Sequence, residues 1–373
     1  MRSSARSAGE PLTSRANEVT PQGRLHRITS QLAIYYGLDA ETRELLRCVV
    51  STITDDAMAG RPGTPSPNFS DVNGNGVPCQ FSVSVGSPAP SLRFLGEVVK
   101  PGLPMPRRLA LSSIRLQELL TLLELRSSSE AINSLFALLL PSDANEVLRW
   151  RMGIWFAIAA RPGAPIGLRV YLNQRWGEVP ARYERFARFF ATFGRRNDLQ
   201  RWSEIAPVVA RAGIPFGIAF DILPAGIGQF KIYFANRDSS RHYWHMLLSS
   251  VGLAGAAPLV ERFAEAFHVE IDDAPPGAMS PSLEFTDDPE HVSLKIDVSC
   301  NQIGSTDRHM DESLMTFAGE IPISMNEYKA VLAAVHAGDL RGDRISSVQY
   351  CGLGLRTEEG IRLNVYLCPD VYT

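Results

Sequence analysis

The chain has 373 residues, 45% of them hydrophobic and 21% charged, and a formal net charge of −3. That composition builds a globular protein with ample apolar residue for a core, and its slightly acidic balance excludes a nucleic-acid footprint, which needs a basic surface or stripe. Five scattered cysteines without a CxxC pair argue against a disulfide framework or a zinc site, and no stretch is long and apolar enough to span a bilayer.

In chain order, residues 1–23 are rich in Ser, Arg, Gly and Pro and lack the apolar centre of a signal peptide. A flexible tail on a cytoplasmic protein is expected there, with residues 24–373 as one domain. From His26 to Ser51 apolar residues recur at helical spacing, among them Ile28, Leu32, Leu46 and Val49, and Asp39 is placed to cap the second of two helices. Residues 61–76, with three prolines and Asn-Gly-Asn-Gly, read as a loop.

Strand-type runs then come in pairs separated by turn residues: 80–85 with 92–99, 152–160 with 168–173, 216–222 with 229–235, 283–286 with 292–299, and 345–355 with 361–367. Between the pairs lie helical segments at 109–140, 179–211, 238–267 and 307–337, the last broken by Gly319 and Pro322. Each is long enough for two helices, so the chain reads as five ααββ repeats. Ten antiparallel strands escape exposed edges by closing into a barrel, with the helices outside.

The second run of every pair carries a basic residue, usually with a polar companion two positions on: Arg93, Arg169 with Tyr171, Lys231 with Tyr233, Lys295 with Asp297, and Arg362 with Asn364 and Tyr366. Residues two apart share a strand face, so these side chains point together into the lumen. An unpaired buried guanidinium loses hydration worth several kcal/mol, and five cations in phase therefore imply an anionic ligand. Phosphate oxygens match Arg forks and Lys point charges. The interleaved tyrosines offer aromatic faces that stabilise a carbocation by ~0.5–2 kcal/mol. Cations for a diphosphate leaving group and π-faces for an allylic cation together suit prenyl transfer.

In Cys79-Gln80-Phe81-Ser82, Leu92-Arg93-Phe94 with Glu97, Leu168-Arg169-Val170-Tyr171-Leu172, Phe230-Lys231-Ile232-Tyr233-Phe234 and Val365-Tyr366, the chain resembles aromatic prenyltransferases of the dimethylallyltryptophan-synthase type. The resemblance implies an α+β fold, the ABBA or PT barrel of five ααββ repeats, as the catalytic domain. It implies that Arg93, Arg169, Lys231, Lys295 and Arg362 hold the diphosphate and that Tyr171, Tyr233 and Tyr366 shield the cation. It further implies no essential metal or other cofactor, with Mg tolerated, and agrees with the lack of an Asp-Asp-x-x-Asp element; Asp287-Asp288 reads as a hairpin tip. Gln80, Trp155 and Gln349 are expected in the acceptor and prenyl pocket, where Trp155 is a candidate gate on prenyl length. Glu97, in phase with Arg93, is a candidate catalytic residue that serves as its ion-pair partner, as a proton acceptor or as neither. A monomer or weak homo-oligomer is expected.

Three positions depart from the pattern that the resemblance implies. Gln80 stands where indole-acting relatives carry a Glu, Gly153-Ile154-Trp155-Phe156-Ala157 lacks a Lys that tryptophan C4 enzymes carry, and Asp297 replaces a shield group and is placed to pair with Lys295. The expected activity is Friedel–Crafts alkylation of an indole-containing acceptor by dimethylallyl or geranyl diphosphate. The alternatives are a phenolic or other aromatic acceptor in the same barrel, and a non-catalytic barrel that binds an anionic small molecule.

Overall fold

The computed structural model describes residues 20–59, 69–149, 153–194, 197–237, 239–286, 292–336, 348–356 and 360–372. Residues 1–19 of the expected tail, the first part of the 61–76 loop, Asp287-Asp288 and the expected start of the ninth strand lie outside the described residues.

The first repeat is α1 (Pro21–Tyr35), α2 (Ala40–Met58), β1 (Cys79–Val85) and β2 (Leu92–Glu97). The second is α3 (Met105–Leu122), α4 (Ser129–Leu139), an additional short α5 (Ala144–Arg149), β3 (Ile154–Ala160) and β4 (Gly167–Asn173). The third is α6 (Val179–Phe193), α7 (Asp198–Val209), β5 (Gly213–Leu223) and β6 (Gly226–Asn236). The fourth is α8 (Arg241–Ser250), α9 (Ala257–Ala266), β7 (Met279–Phe285) and β8 (Val292–Ser299), and the fifth α10 (Asp307–Gly319), α11 (Asn326–Val335), β9 (Val348–Arg356) and β10 (Gly360–Leu367). Every strand is antiparallel to its neighbours, and β1 pairs with both β2 and β10, so the sheet closes into a ten-stranded barrel.

Local chemistry sets the helix ends. Asp39 accepts a 2.7 Å bond from Thr42 N and caps α2 as expected. Thr20 Oγ1 caps α1 by accepting from Gly23 N, and Pro21 occupies the first turn, where its missing N–H costs nothing. Residues 20–23 therefore belong to the first helix and not to the tail, a correction that follows from this cap.

The core is the cylinder between the outer barrel face and the helices. On α6, Phe186, Phe189 and Phe190 fall at i, i+3 and i+4 and are all buried. Phe189 meets Phe230 edge-on at 5.0 Å, and Phe190 packs on Phe285 at 4.7 Å and on Trp202 of α7 at 5.3 Å. Each such ring stabilises the wrap by ~1.5–3 kcal/mol relative to exposure.

The β7 strand begins four residues earlier than its sequence pattern predicts, at Met279, because Pro281 obscures it. Proline cannot donate to a ladder on both sides, and the β6–β7 ladder runs only from Phe230↔Phe285 to Tyr233↔Ser282, while Ser280 and Pro281 pair with β8 alone. The barrel wall is thus parted beside Pro281. At one end of the barrel the strands are joined by hairpin turns; at the other the chain leaves for and returns from the helix pairs. The two ends house different chemistry.

Candidate active site

The strand alternation delivers the expected residues to the lumen. Cross-strand registers place Ser82 beside Arg93, Ala157 beside Arg169, Arg169 beside Asp221, Lys231 beside Glu284, and Lys295 between Ser282 and Gly354. Toward the hairpin-turn end lies a cavity of about 610 Å³ whose described lining includes seven cationic side chains, Arg93, Arg161, Arg169, Lys231, Lys295, Arg356 and Arg362, against two carboxylates, Asp221 and Glu284. The surplus of positive charge makes it an anion chamber.

The cations are held differently. Arg169 forks onto Asp221 at 2.6 and 3.0 Å and reaches Glu284 Oε1 at 3.2 Å from both terminal nitrogens, and Arg356 donates to Glu284 Oε2 at 2.9 Å. Burial alone would raise the Glu284 pKa, but the charges of Lys231, Arg169 and Arg356 hold it well below the usual carboxylate range. Lys231 is buried and its ammonium has neither a hydrogen-bond nor an ion-pair partner among the described residues; burial pushes its pKa down to about 7, helped by the Lys295 charge and opposed by Glu284. Lys295 goes the other way. Against the lowering by burial, Asp297 and Tyr366 lift it, through contacts of 2.6 Å to Asp297 Oδ1 and 2.7 Å to the Tyr366 hydroxyl.

A belt of five side chains, Leu95, Tyr171, Tyr233, Lys295 and Tyr366, borders this chamber and a second cavity of about 390 Å³ toward the helix-connection end. The Tyr171 and Tyr233 rings lie 5.9 Å apart, Trp155 is 6.4 Å from Tyr171, and Tyr350 meets Tyr366 edge-on at 6.2 Å. The Lys295 ammonium sits 4.6 Å from the centre of the Tyr366 ring. Burial pushes the Tyr233 hydroxyl well above its ordinary pKa, so the ring stays a neutral phenol. Beyond the belt, Gln80 is 5% exposed and its Oε1 has no hydrogen-bond partner among the described residues, and the buried Trp155 Nε1 lacks one there too. A buried orphan acceptor costs about 1–3 kcal/mol unless a ligand satisfies it. At the mouth stand Arg175, 5.1 Å over the Phe216 ring, and Arg237, neither with an acidic partner among the described residues. Neighbouring Arg182 has its pKa lowered by burial first and then by the Arg175 and Arg237 charges, against the opposing carboxylates of Glu178 and Glu146.

Solved structures share this architecture. The chain superposes on a 5-dimethylallyl tryptophan synthase from Streptomyces coelicolor, solved in complex with DMASPP and Trp, with a TM-score of 0.77 at 18% identity over 95% of this chain and 96% of that one. A 6-dimethylallyltryptophan synthase from Micromonospora olivasterospora gives 0.76 at 17% identity over 95% and 98%, and AnaPT from Neosartorya fischeri gives 0.74 at 14% over 96% and 95%. The chain has the ABBA prenyltransferase fold. No protein-family model matches it. Among the described residues no helix of this barrel is long and apolar enough to cross a membrane, and no cluster of three or more His, Cys, Asp or Glu is arranged to hold a metal ion.

Within the barrel, Arg93, Arg169, Lys231, Lys295 and Arg362 all reach the anion chamber, Tyr171, Tyr233 and Tyr366 form the belt, and Gln80 and Trp155 line the second cavity, on the side expected to take the acceptor. Two expected residues do not line either cavity. Glu97 is fully buried, accepting from Gly153 N and from the Ser70 hydroxyl, both at 2.6 Å, so it neither pairs with Arg93 nor faces the lumen. Gln349 is the extra residue of a bulge opposite Tyr366 and Leu367; it accepts from Gly74 N at 3.1 Å, and its neighbour Tyr350 takes the place in the lining. Both act on the loop 69–78, which crosses the rim of the barrel and contributes Val72 to the cavity: Glu97 holds its start and Gln349 its middle. The sequence reading missed Asp221, Glu284, Arg356, Arg175, Arg237 and Tyr350. Of these, Arg356 and Tyr350 could have been found from the alternation along β9, six residues apart on one face.

Burial raises the Glu97 pKa to about 7, although both of its hydrogen bonds act to lower it. A carboxyl raised on folding contributes stability that is full below its unfolded value and is lost as pH rises through the folded value. The wild type is therefore expected to lose about 3 kcal/mol relative to Glu97→Gln between pH 4.5 and 8, as read from denaturant midpoints across that range. Gln keeps an oxygen for Gly153 N and an NH₂ for Ser70, so the variant should fold with a flatter pH profile.

Proposed function

We propose that this barrel is an aromatic prenyltransferase that moves a dimethylallyl or geranyl group from its diphosphate to an indole-containing acceptor without needing a metal. One observation carries the reading: a belt of three tyrosines stands between a chamber of seven cations and a chamber that ends in an unpartnered amide oxygen. An anion-binding protein needs the first chamber but neither the belt nor the second. Solved structures with the same fold include enzymes named for dimethylallyl transfer to tryptophan, which agrees with this reading.

The chemistry follows from the order of the parts. The diphosphate occupies the cationic chamber, where fixed positive charges meet the negative charge that grows as the allylic C–O bond breaks. Arg169 and Arg356 are locked by carboxylates, so they are oriented in advance and little reorganisation is required. The cation forms at the belt, against aromatic faces that stabilise it without bonding to it. The indole lies beyond it, its N–H satisfying Gln80 Oε1, and a ring carbon attacks to give an arenium ion that then loses a proton. Arg175 and Arg237 at the mouth favour an acceptor bearing a carboxylate, such as a tryptophan derivative with a free acid group.

With EDTA present, dimethylallyl diphosphate and a panel of tryptophan derivatives, tryptophan-containing cyclic dipeptides and phenols should give a mass gain of one prenyl unit on the indole compounds. Free acids should turn over faster than neutral cyclic dipeptides. Product only after adding a divalent metal, or only with phenols, would overturn the corresponding part of the proposal.

Tyr233→Leu removes a π-face without touching charge, so kcat should fall ~10–30-fold, while Tyr233→Phe retains most turnover. Inorganic pyrophosphate should bind both variants as it binds the wild type, which isothermal titration would show.

Lys231, with its pKa near 7, is largely neutral at pH 8 in the free protein and becomes charged when a diphosphate arrives. Pyrophosphate binding at pH 8 should therefore take up close to one proton, and affinity should weaken as pH rises above 7. Calorimetry in two buffers of different ionisation enthalpy measures the uptake, and Lys231→Met should abolish it.

A further inference from the structure

The proposed alkylation leaves one chemical task unassigned. An arenium ion must give up the proton on its alkylated carbon, and a group near the ring has to accept it. Gln80 and Trp155 cannot, because an amide oxygen is far too weak a base and the indole N–H is a donor. A phenol hydroxyl is too weak a base for the task, and Glu97 is sealed behind Gly153 and Ser70. Among the described residues lining the acceptor-side cavity there is one carboxylate, Asp297.

Its placement is specific. Asp297 lies two residues from Lys295 on β8, on the same lumen face, and lines only the acceptor-side cavity, whereas Lys295 lines both. The Lys295 ammonium holds it at 2.5 Å from Oδ2 and 2.6 Å from Oδ1 and reaches Tyr366 in the belt at 2.7 Å. Opposite on β9 stands Gly352, where a Cβ would fall 2.3 Å from Asp297 Oδ1. The wall is hollowed to admit the carboxylate, whose side chain remains 14% exposed to the cavity. A carboxylate held by one ammonium still has lone pairs for another proton.

We propose that Asp297 is the proton acceptor of the reaction, an assignment that rests on the aromatic prenyltransferase reading above. The C–H bond at the alkylated ring carbon breaks, its electron pair returns to the ring, and the proton passes to an Asp297 carboxylate oxygen, leaving a neutral carboxylic acid. Lys295 then loses its anionic partner while it borders the chamber that holds pyrophosphate. Its charge becomes available to the leaving group in the same step, so product formation on one side of the belt stabilises the departed anion on the other. The proton leaves Asp297 for solvent when the prenylated product departs.

The test compares Asp297→Asn, Asp297→Glu and wild type with dimethylallyl diphosphate and two acceptors, L-tryptophan and cyclic tryptophan–glycine, each with a light or a carbon-deuterated indole ring. In the wild type, ionisation limits turnover and the ring isotope effect should be near unity. In Asp297→Asn turnover should fall ~100–1,000-fold, as expected for loss of a general base, and a primary ring isotope effect should emerge as deprotonation becomes limiting. Asp297→Glu should recover turnover and return the isotope effect toward unity, and the donor KM should not rise in Asp297→Asn, because Lys295 is freed. Slow turnover with no isotope effect and a raised donor KM would show that Asp297 only positions Lys295, and unchanged turnover would show that another base acts; either overturns the proposal. If Asp297→Asn does not fold, Gly352→Ala, whose Cβ forces the carboxylate aside while retaining its charge, is read by the same isotope effect. Wild-type silence with both acceptors overturns the proposal together with the function beneath it, whereas wild-type turnover with a unit isotope effect in Asp297→Asn overturns the proposal alone.

Discussion

Cations in the interior of a closed barrel are the constraint from which the other features follow. A guanidinium or ammonium taken from water loses several kcal/mol of hydration, and a sheet closed on itself has no edge through which solvent can restore it. The protein meets that cost in two ways. Arg169, Arg356 and Lys295 are matched to Asp221, Glu284 and Asp297, which fixes them in place. Lys231 has no hydrogen-bond or ion-pair partner among the described residues, and its pKa falls instead. The first solution gives rigidity, and the second gives a vacancy that an arriving anion fills. A chamber made entirely of paired cations would have little affinity to spare, and one made entirely of unpaired cations would not stay folded.

The period-two alternation of a strand made much of this legible in the amino-acid order. Arg169 and Tyr171, or Lys231 and Tyr233, must share a face whatever the register, so the lumen chemistry and the belt could be read from local spacing alone. What spacing cannot supply is which residue lies across from which. Asp221 sits in Ala-Phe-Asp-Ile-Leu and Glu284 in Ser-Leu-Glu-Phe, and nothing in either run announces an arginine partner. Their meaning depends on the registers Arg169↔Asp221 and Lys231↔Glu284, which the closure of the whole barrel sets. Glu97 was left open and Gln349 misread for a related reason. In-phase spacing places Glu97 on the lumen side, but at the strand's last residue the loop 69–78 covers it, and one bulge takes Gln349 out of the alternation that Tyr350 resumes.

The resulting lumen is graded along its axis. Hairpin turns close the end where charge is concentrated, and long helix-bearing connections frame the end where the aromatic pocket opens. Rim residues such as Val72, Arg175, Arg237 and Gln302 stand on the connections between strands and helices. On the proposed reading, donor ionisation and acceptor recognition sit at opposite ends of one lumen, so one end can change without disturbing the other.

The belt explains why both chambers occur in one lumen rather than in two clefts. An allylic cation is captured by the nearest lone pair, which in water is water itself, so it has to be generated where only the intended nucleophile can reach it. Neutral tyrosine rings supply a surface that is polar enough to hydrogen-bond at its rim and electron-rich at its face, yet a poor nucleophile while the hydroxyl stays protonated. Burial keeps Tyr233 protonated, the same desolvation that lowers Lys231 two residues away. One physical cause, exclusion of water from the lumen, therefore acts on neighbouring residues in opposite protonation senses. In the proposed reaction it holds a phenol neutral so that it does not attack the cation, and it holds an amine ready to take a proton when the diphosphate arrives.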